Sequence, residues 1–216
     1  MINLSSLLGG GLVLKRQLIT ANMTWQRPAR MAGNTVFLTG IGGGASGRST
    51  SGTPSAIFGG DGGQYAIKLP IDIGETTSVP VTIGVGGAPS VVGGQPNHGT
   101  PTSFGALLTL LGGVNRGTTG GPMPLGAPGG RGDNLSTMNG ADTPLGYGGR
   151  VIANITSSLG CGGGGLILDA TMVGGGLSNN NVTPAQGYGA GGSGSAIATS
   201  GAGAPGALLV EWMEFA

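Results

Sequence analysis

The sequence predicts a mainly β fold: a small β-sandwich core that carries glycine-rich excursions and almost no helix. Glycine accounts for 51 of the 216 residues, so long stretches cannot pack a core of side chains. Short apolar runs rich in β-branched and aromatic residues recur between the glycine tracts, and such residues favour strands. Two conventional strands, at residues 34–39 and 207–215, bracket the glycine-rich body. We therefore expect extended backbone throughout.

The N-terminal part predicts an attachment segment followed by strands. Residues 1–20 form this segment, and residues 12–20 within it are typical of a strand. Residues 24–39 are predicted as one opening strand, in which Pro28 suits an edge or first-residue position. Exposed apolar termini mark interaction sites, so the leading apolar side chains are predicted to dock on an assembly partner. These side chains are Ile2, Leu4, Leu7 and Leu8.

The middle of the chain predicts four further strands and a long loop. Apolar and polar residues alternate over residues 64–70, which predicts a half-buried strand, and residues 79–85 have the spacing of its antiparallel neighbour. Residues 102–111 predict another strand, because a helix there would lack caps. The composition of residues 112–149 is that of a loop, and residues 151–155 predict a short strand.

The closing strand at residues 207–215 completes one predicted glycine-rich β domain over residues 21–216. Its receptor-facing loops are predicted at residues 112–149 and 174–194. Large aromatic residues in the bracketing strands are predicted to form the core of the sandwich. These residues are Trp25, Phe37, Trp212 and Phe215.

The glycine tracts favour an ordered structure over disorder. The mean hydropathy is +0.22, whereas disordered chains are polar and highly charged. Collagen needs glycine at every third position without interruption, and residues 162–165 are consecutive glycines. Extended segments that bond to one another, as in polyglycine-II packing, are the remaining ordered option. Because each ordered glycine costs more entropy than any other residue, we expect many bonds between segments or association with other chains.

Charge and cysteine content exclude several functional classes. A net charge of +1 offers no electrostatic footprint for nucleic acid or acidic lipid. Cys161 is the only cysteine, so no intrachain disulfide framework is expected. Residues 1–20 lack the basic start of a signal peptide, and glycine interrupts their apolar stretch, so we expect neither a signal peptide nor a membrane span.

The sequence predicts no catalytic, metal or cofactor site. Two matches to G-x-G-x-x-G, at residues 189–194 and 201–206, lack the strand and helix that a dinucleotide site requires. His98 is the only histidine, and no spacing argues for a dyad with Cys161. The acids are scattered, without the carboxylate pair of a glycosidase or a clustered ligand set for a metal. We therefore expect a protein that is not an enzyme and holds no cofactor.

Four stretches of the sequence resemble bacteriophage tail proteins. TWQRPARMAGNTVFLTGIGGGASG, at residues 24–47, is similar to the opening motif of glycine-rich domains in tail fibres and tail-tip adhesins. SVPVTIGVGGAPS, GQPNHGTPTSFGALLTLLGG and the terminal GAGAPGALLVEWMEFA follow in the same order, and the resemblance covers residues 19–216. It implies a small β-sandwich with a glycine-rich part, at the distal end of a phage tail, in a protein that is commonly trimeric and binds a bacterial surface receptor.

Receptor contacts are expected from loop residues, because aromatic, arginine and asparagine side chains are common at binding surfaces. Arg48, Asn97 and His98 are non-core candidates of this kind. The main receptor-binding candidates are Arg116, Arg131, Asp133, Tyr147, Arg150, Asn179, Asn180, Asn181 and Tyr188.

The implied partners are other copies of the chain in a homotrimer, and other tail or baseplate proteins that bind the N-terminus. The receptor would be a bacterial surface glycan, an outer-membrane protein or a pilus. Neither nucleic acid nor membrane insertion is expected. The implied location is the distal end of the virion tail, with assembly in the host cytoplasm.

Three alternatives remain open. A structural tail or baseplate component could join fibre to tail without touching the host, with the apolar lead at residues 1–14 as its assembly peptide. A cellular matrix or cuticle protein should carry a secretion signal and a regular repeat. An enzyme that acts on surface polysaccharide should carry a carboxylate pair.

Overall fold

The computed structural model describes residues 11–49, 57–114, 131–132, 151–154, 157–160, 182, 184–195 and 198–216. Within these residues the chain forms strands and no helix, which confirms the mainly β prediction. No helix among them is long and apolar enough to cross a membrane. The strands are β1 (Leu12–Ile19), β2 (Met23–Gln26), β3 (Thr35–Ile41), β4 (Ile57–Phe58), β5 (Tyr65–Asp72), β6 (Ser78–Thr82), β7 (Thr102–Phe104), β8 (Leu108–Leu110), β9 (Arg131–Gly132), β10 (Val151–Asn154), β11 (Ser157–Gly160) and β12 (Ala207–Phe215).

Most of these strands belong to two antiparallel four-stranded sheets. The first sheet has the order β1-β12-β3-β5, and the second has the order β2-β6-β7-β8. Two smaller sheets pair β4 with β9 and β10 with β11. The first strand of the chain therefore lies beside the last one, and the closing strand β12 is central in its sheet.

The two large sheets pack face to face around Trp25. This residue of β2 is fully buried, and its ring lies 5.7 Å from that of Phe104 and 6.0 Å, nearly edge-on, from that of Trp212. Trp212 belongs to the opposite sheet, so the two tryptophans connect the layers of the predicted sandwich. Aliphatic side chains from both sheets fill the rest of the core: Ile19, Val36, Leu38, Val79, Val81, Leu208 and Val210.

The other two bracketing aromatics do not share this core. Phe215 is 54% exposed at the end of β12, so the prediction that it is buried is wrong. Phe37 is half-buried, because successive residues of a strand face opposite sides and its neighbours Val36 and Leu38 take the inner side of β3.

The predicted opening strand at residues 24–39 is two strands. β2 and β3 belong to different sheets, and Pro28 lies in the link between them. The guanidinium group of Arg27 holds this link in place by donating to the carbonyl oxygen of Gly74 at 2.7 Å and to Oδ1 of Asn34 at 2.6 Å. The sequence pattern detected the extended backbone but not the crossing from one sheet to the other.

Two further pairings correct the sequence-based prediction. Residues 79–85 do not pair with residues 64–70, because β6 pairs with β2 and β7 in one sheet whereas β5 pairs with β3 in the other. Residues 102–111 form a hairpin of β7 and β8 instead of one strand. Gly105 makes the turn possible, since its φ of 52° lies in the left-handed region that glycine adopts most easily.

Candidate functional site

Six of the sandwich strands lead into, or out of, glycine-rich segments at the same pole of the molecule. β3, β6 and β8 end at this pole, and β5, β7 and β12 begin there. We call residues 42–48, which follow β3, the central segment. Together with the segments around it we call this part the glycine bundle. The surrounding segments are residues 59–64, 84–90, 97–100, 111–113, 189–195 and 200–206.

The backbone amides of the central segment donate to three neighbouring segments in strict rotation. Successive N–H groups donate to carbonyls of three different segments, and every third N–H donates to the same segment. All of these N···O distances are between 2.9 and 3.1 Å. The donor and acceptor pairs are Gly42 to Gln64, Gly43 to Thr100, Gly44 to Ala204, Ala45 to Asp61, Ser46 to Asn97, and Gly47 to Gly201.

The carbonyls of the central segment accept from the other three neighbours. Gly113, Gly87 and Gly192 donate their N–H groups to three successive carbonyl oxygens of the central segment, at 2.7–2.8 Å. One turn later, Ser195 donates to the carbonyl of Arg48 at 3.0 Å, three residues after Gly192 in its own segment. The central segment is therefore antiparallel to the three neighbours that accept its amides and parallel to the three that donate to it.

The six surrounding segments also bond to one another in a closed ring. Around the ring, residues 59–64 are followed by 189–195, 200–206, 84–90, 97–100 and 111–113, which bonds back to 59–64. The donor and acceptor pairs around the ring are Gly60 to Gly192, Gly63 to Gly189, Gly201 to Ser193, Ala204 to Ala190, Ser200 to Ser90, Gly203 to Gly87, Gly206 to Gly84, Thr100 to Val85, Gly99 to Gly113, and Gln64 to Leu111.

This pattern has the three-residue repeat of polyglycine-II packing. A polyglycine-II helix has three residues per turn and no internal hydrogen bonds, so all of its backbone N–H and C=O groups can bond to neighbouring segments. The close approach excludes side chains: a Cβ atom on Gly44 would overlap the carbonyl group of Ala190, and one on Gly47 would overlap that of Ser193. The described glycine segments therefore form one packed body, an arrangement that the sequence analysis gave as one option.

Thr102 fastens the sandwich to the bundle. Its side chain is fully buried at the start of β7, where Oγ1 donates to the carbonyl oxygen of Ile41 at 2.8 Å and accepts from the N–H of Gly84 at 3.0 Å. Ile41 is the last residue before the central segment. One hydroxyl group thus joins three chain segments at the junction.

We expect Thr102→Val to lower the free energy of unfolding by about 2 kcal/mol, because a methyl group of similar size leaves a buried donor or acceptor unsatisfied on both segments. Urea unfolding followed by tryptophan fluorescence measures the loss. Thr109→Val is the matched control, since Thr109 lies on the neighbouring strand β8 and is exposed. An equal, small change in both variants would contradict the junction role.

A short loop at the far end of the bundle exposes two adjacent apolar side chains. We call residues 91–96, which connect segments 84–90 and 97–100, the tip loop. Val91 and Val92 are 67% and 46% exposed. A tight turn follows them, with Gly93 at a φ of 77° and the N–H of Gly94 donating to the carbonyl of Val91 at 2.8 Å.

Both stems of the tip loop are held by hydrogen bonds. Ser90 and Ser200 bond reciprocally: the N–H of Ser200 donates to the carbonyl of Ser90 at 2.9 Å, and the N–H of Ser90 donates to Oγ of Ser200 at 2.7 Å. On the other stem, Nδ2 of Asn97 donates to the carbonyl of Ala88 at 2.9 Å, and its N–H donates to Oγ of Ser46 at 2.8 Å. The two stems of the tip loop are thus held in place on the bundle.

The structure places the described candidates at several positions. Asn97 and His98 are exposed beside the tip loop, although the amide of Asn97 is used to hold the loop. Arg48 is half-buried at the far end of the central segment, and Tyr188 is half-buried next to segment 189–195. Arg131 lies in β9, where it is paired with Phe58 of β4. The two residues of β9 are therefore strand, whereas the sequence predicted a loop.

The remaining candidates lie outside the described residues. They are Ile2, Leu4, Leu7, Leu8, Arg116, Asp133, Tyr147, Arg150, Asn179, Asn180 and Asn181.

The sequence-based search missed Val91 and Val92, because it selected polar and aromatic side chains in glycine-rich loops. A usable signal was present: two adjacent β-branched apolar residues stand before Gly93 and Gly94, at a position where a core strand cannot continue. In the described part of the chain, no group of His, Cys, Asp and Glu residues could hold a metal ion.

Comparison with known proteins gives one family. A family model described as a glycine-rich domain matches residues 18–213. The match takes in the end of β1, all later strands and the whole glycine bundle. No curated protein matches the chain significantly.

Proposed function

We propose that this chain, which belongs to the glycine-rich domain family, is a phage tail fibre or tail-tip protein that binds a bacterial surface receptor during host attachment. The ordered resemblance of four stretches to phage adhesins supports the phage assignment. The proposed location is the distal end of the virion tail, in a homotrimer attached through its N-terminal region to other tail proteins.

The observation that carries the proposal is that the molecule has two different ends, with the chain termini of the sandwich at one and the tip loop at the other. β1 begins and β12 ends at the pole opposite the glycine bundle, where the N–H of Ala216 donates to the carbonyl of Gly11 at 2.9 Å. The tip loop lies beyond the other pole, at the end of the bundle. At a rise of about 3.1 Å per residue, the central segment alone extends about 20 Å from the sandwich. Such a shape supports attachment at one end and contact at the other.

The bundle also suits a receptor-binding role energetically. Ordering a flexible loop on binding costs free energy, and a loop that is fixed beforehand avoids much of that cost. The bonds of Ser90 and Asn97 fix both stems of the tip loop before any partner arrives. Val91 and Val92 can then bury apolar surface against a receptor, with polar backbone and Gln95 around them.

We expect the double variant Val91→Asp and Val92→Asp to weaken receptor binding at least about tenfold, because each aspartate would bring an unpaired charge into an apolar contact. The measurement is competition: purified protein is mixed with susceptible cells, and phage adsorption is recorded against protein concentration. Leu107→Asp is the matched control, since Leu107 is an exposed apolar residue in the turn after β7, outside the bundle.

Wild-type protein that fails to compete on any susceptible strain would contradict the receptor role. If wild-type protein competes but the tip-loop and Leu107 variants behave alike, binding takes place elsewhere on the protein.

The second candidate function is that of a structural tail component that joins fibre to tail without host contact. The observation that favours it is the exposed apolar surface at the pole opposite the bundle, where Leu12, Leu14 and Phe215 lie. Deletion of residues 1–11 separates the two functions. Loss of incorporation into virions with retained cell binding favours the receptor-binding protein, whereas full-length protein that never binds cells favours the structural component.

A further inference from the structure

β1 is the one long, regular edge of the two four-stranded sheets. The opposite edge of its own sheet, β5, carries Pro70, a register shift against Leu38 and Gly40, and Lys68 at a φ of 47°. These are features that prevent a further strand from pairing with an edge. In the second sheet the edge strands β2 and β8 are only four and three residues long.

β1 is more regular than β5 and longer than β2 and β8, and the protective feature that it does carry is a pair of exposed cations, Lys15 and Arg16. Its eight residues pair one-to-one with β12 without a register shift, and the strand contains no proline and no residue with positive φ. In an antiparallel pair, alternate residues direct their N–H and C=O groups away from the partner. Among the described residues no strand pairs with the other side of β1, which therefore presents a regular row of backbone donors and acceptors, a template for another strand.

The side chains of β1 extend this template with apolar surface. Leu12 and Leu14 are 55% and 54% exposed on one face of the sheet, and Phe215, opposite Leu12, lies on the same face. Val13 is exposed on the other face. A strand added beside β1 would therefore gain apolar contacts on both sides of the sheet at the pole away from the bundle.

The middle of β1 selects the kind of strand that can pair there. Lys15 and Arg16 are exposed on opposite faces of the sheet. Glu211 of β12 lies opposite Arg16 in the register, but neither cation is within ion-pair distance of an acid among the described residues. A second copy that paired antiparallel about the centre of β1 would place Lys15 opposite Arg16. Like charges directly opposite each other destabilise a sheet, so the charges disfavour self-pairing and favour an acidic strand.

We propose that β1 is a docking site for an extended segment of another protein, which adds to the sheet as a further strand and carries acidic residues between apolar ones. Backbone hydrogen bonds to the open edge supply affinity, and carboxylates opposite Lys15 and Arg16 supply selectivity. The inference rests on the edge of β1 and not on the receptor role of the tip loop, so the two can fail separately.

The test uses a labelled peptide of sequence ALLVEWMEF, which is the sequence of β12 and already pairs with β1 with Glu211 opposite Arg16. The comparison peptide, ALLVKWMKF, replaces both glutamates by lysine. Fluorescence anisotropy with the full-length protein is expected to show about tenfold tighter binding of the acidic peptide. In the register of β12 one glutamate lies opposite Arg16 and the other lies diagonal to Lys15, and both contacts change from attraction to repulsion when lysine replaces glutamate. Hydrogen exchange of alternate amides in β1 should slow when the acidic peptide binds.

The double variant Lys15→Gln and Arg16→Gln is expected to bind both peptides equally, while the matched variant Lys68→Gln on the blocked edge β5 keeps the tenfold preference. Unchanged thermal unfolding shows that the variants are folded. Equal binding of both peptides by the wild-type chain, no binding at all, or peptide binding without protection of β1 would overturn the proposal. So would protection of β1 that rises with protein concentration in the absence of peptide, which would identify a second copy as the occupant.

Discussion

Replacing Gly44 by alanine is expected to lower the free energy of unfolding by about 3 kcal/mol, the upper part of the range for an overpacked site. Gly44 donates to Ala204 and accepts from Gly87, and a Cβ atom on it would overlap the carbonyl group of Ala190. Backbone cannot rotate away as a side chain can, so segment 189–195 must move and lose its bonds to the bundle.

Alanine also restricts the unfolded chain, which offsets the loss by about 0.4–1 kcal/mol. Gly11→Ala isolates this term, because a Cβ atom on Gly11 meets nothing within 4 Å. Chemical denaturation of both variants measures the two effects, and hydrogen exchange of the bundle amides localises the loss. A Gly44 variant as stable as the Gly11 variant would show that the close packing of the bundle does not hold in solution.

Replacing Trp25 by alanine is expected to lower the free energy of unfolding by about 3–5 kcal/mol, because the substitution removes a large side chain from a site that cannot collapse. The ring is fully buried and contacts Phe104 in its own sheet and Trp212 in the other. Guanidinium unfolding followed by circular dichroism measures the loss. A change below about 1 kcal/mol would mean that Trp25 does not hold the sheets together.

Trp25→Phe is the informative companion variant. Nε1 of Trp25 is buried and has no hydrogen-bond partner in the described part of the chain, so phenylalanine removes an unsatisfied donor together with part of the ring. We expect a loss of only about 1–2 kcal/mol, since the cost of the smaller ring is offset by the removed donor. A loss as large as that of the alanine variant would point to a specific role of the indole group.

Much of the sandwich could be predicted from the sequence. The strands at residues 12–20 and 207–215 and the burial of Trp25 and Trp212 follow from apolar patterns and residue type, because these depend on local composition. Errors occurred where the chain changes sheet, as between β2 and β3, because a crossing depends on contacts such as those of Arg27 with Asn34 and Gly74. The hairpin at Gly105 was missed for the related reason that a single glycine can either turn or continue a strand.

The candidate site was predicted less well. The sequence predicted contacts from polar and aromatic residues in glycine-rich loops, whereas the far end of the bundle exposes the adjacent apolar residues Val91 and Val92. Asn97, selected as a contact residue, donates its amide to Ala88 and positions the loop. Exposure of a valine is decided by which segments surround it, and composition does not contain that information.

By itself, the sequence determined that the chain is extended and that its two tryptophans form the core, and it predicted that glycine tracts, where ordered, satisfy their backbone groups by bonding between segments or with other chains. Only the tertiary structure decided which segments are neighbours. The amides of Gly42, Gly43 and Gly44 point to three segments that are far apart along the chain. Since glycine has no side chain, these tracts carry no pattern that specifies a partner or a register. The sandwich specifies the neighbours instead, because six of its strands begin or end at one pole and bring the adjoining glycine segments together there.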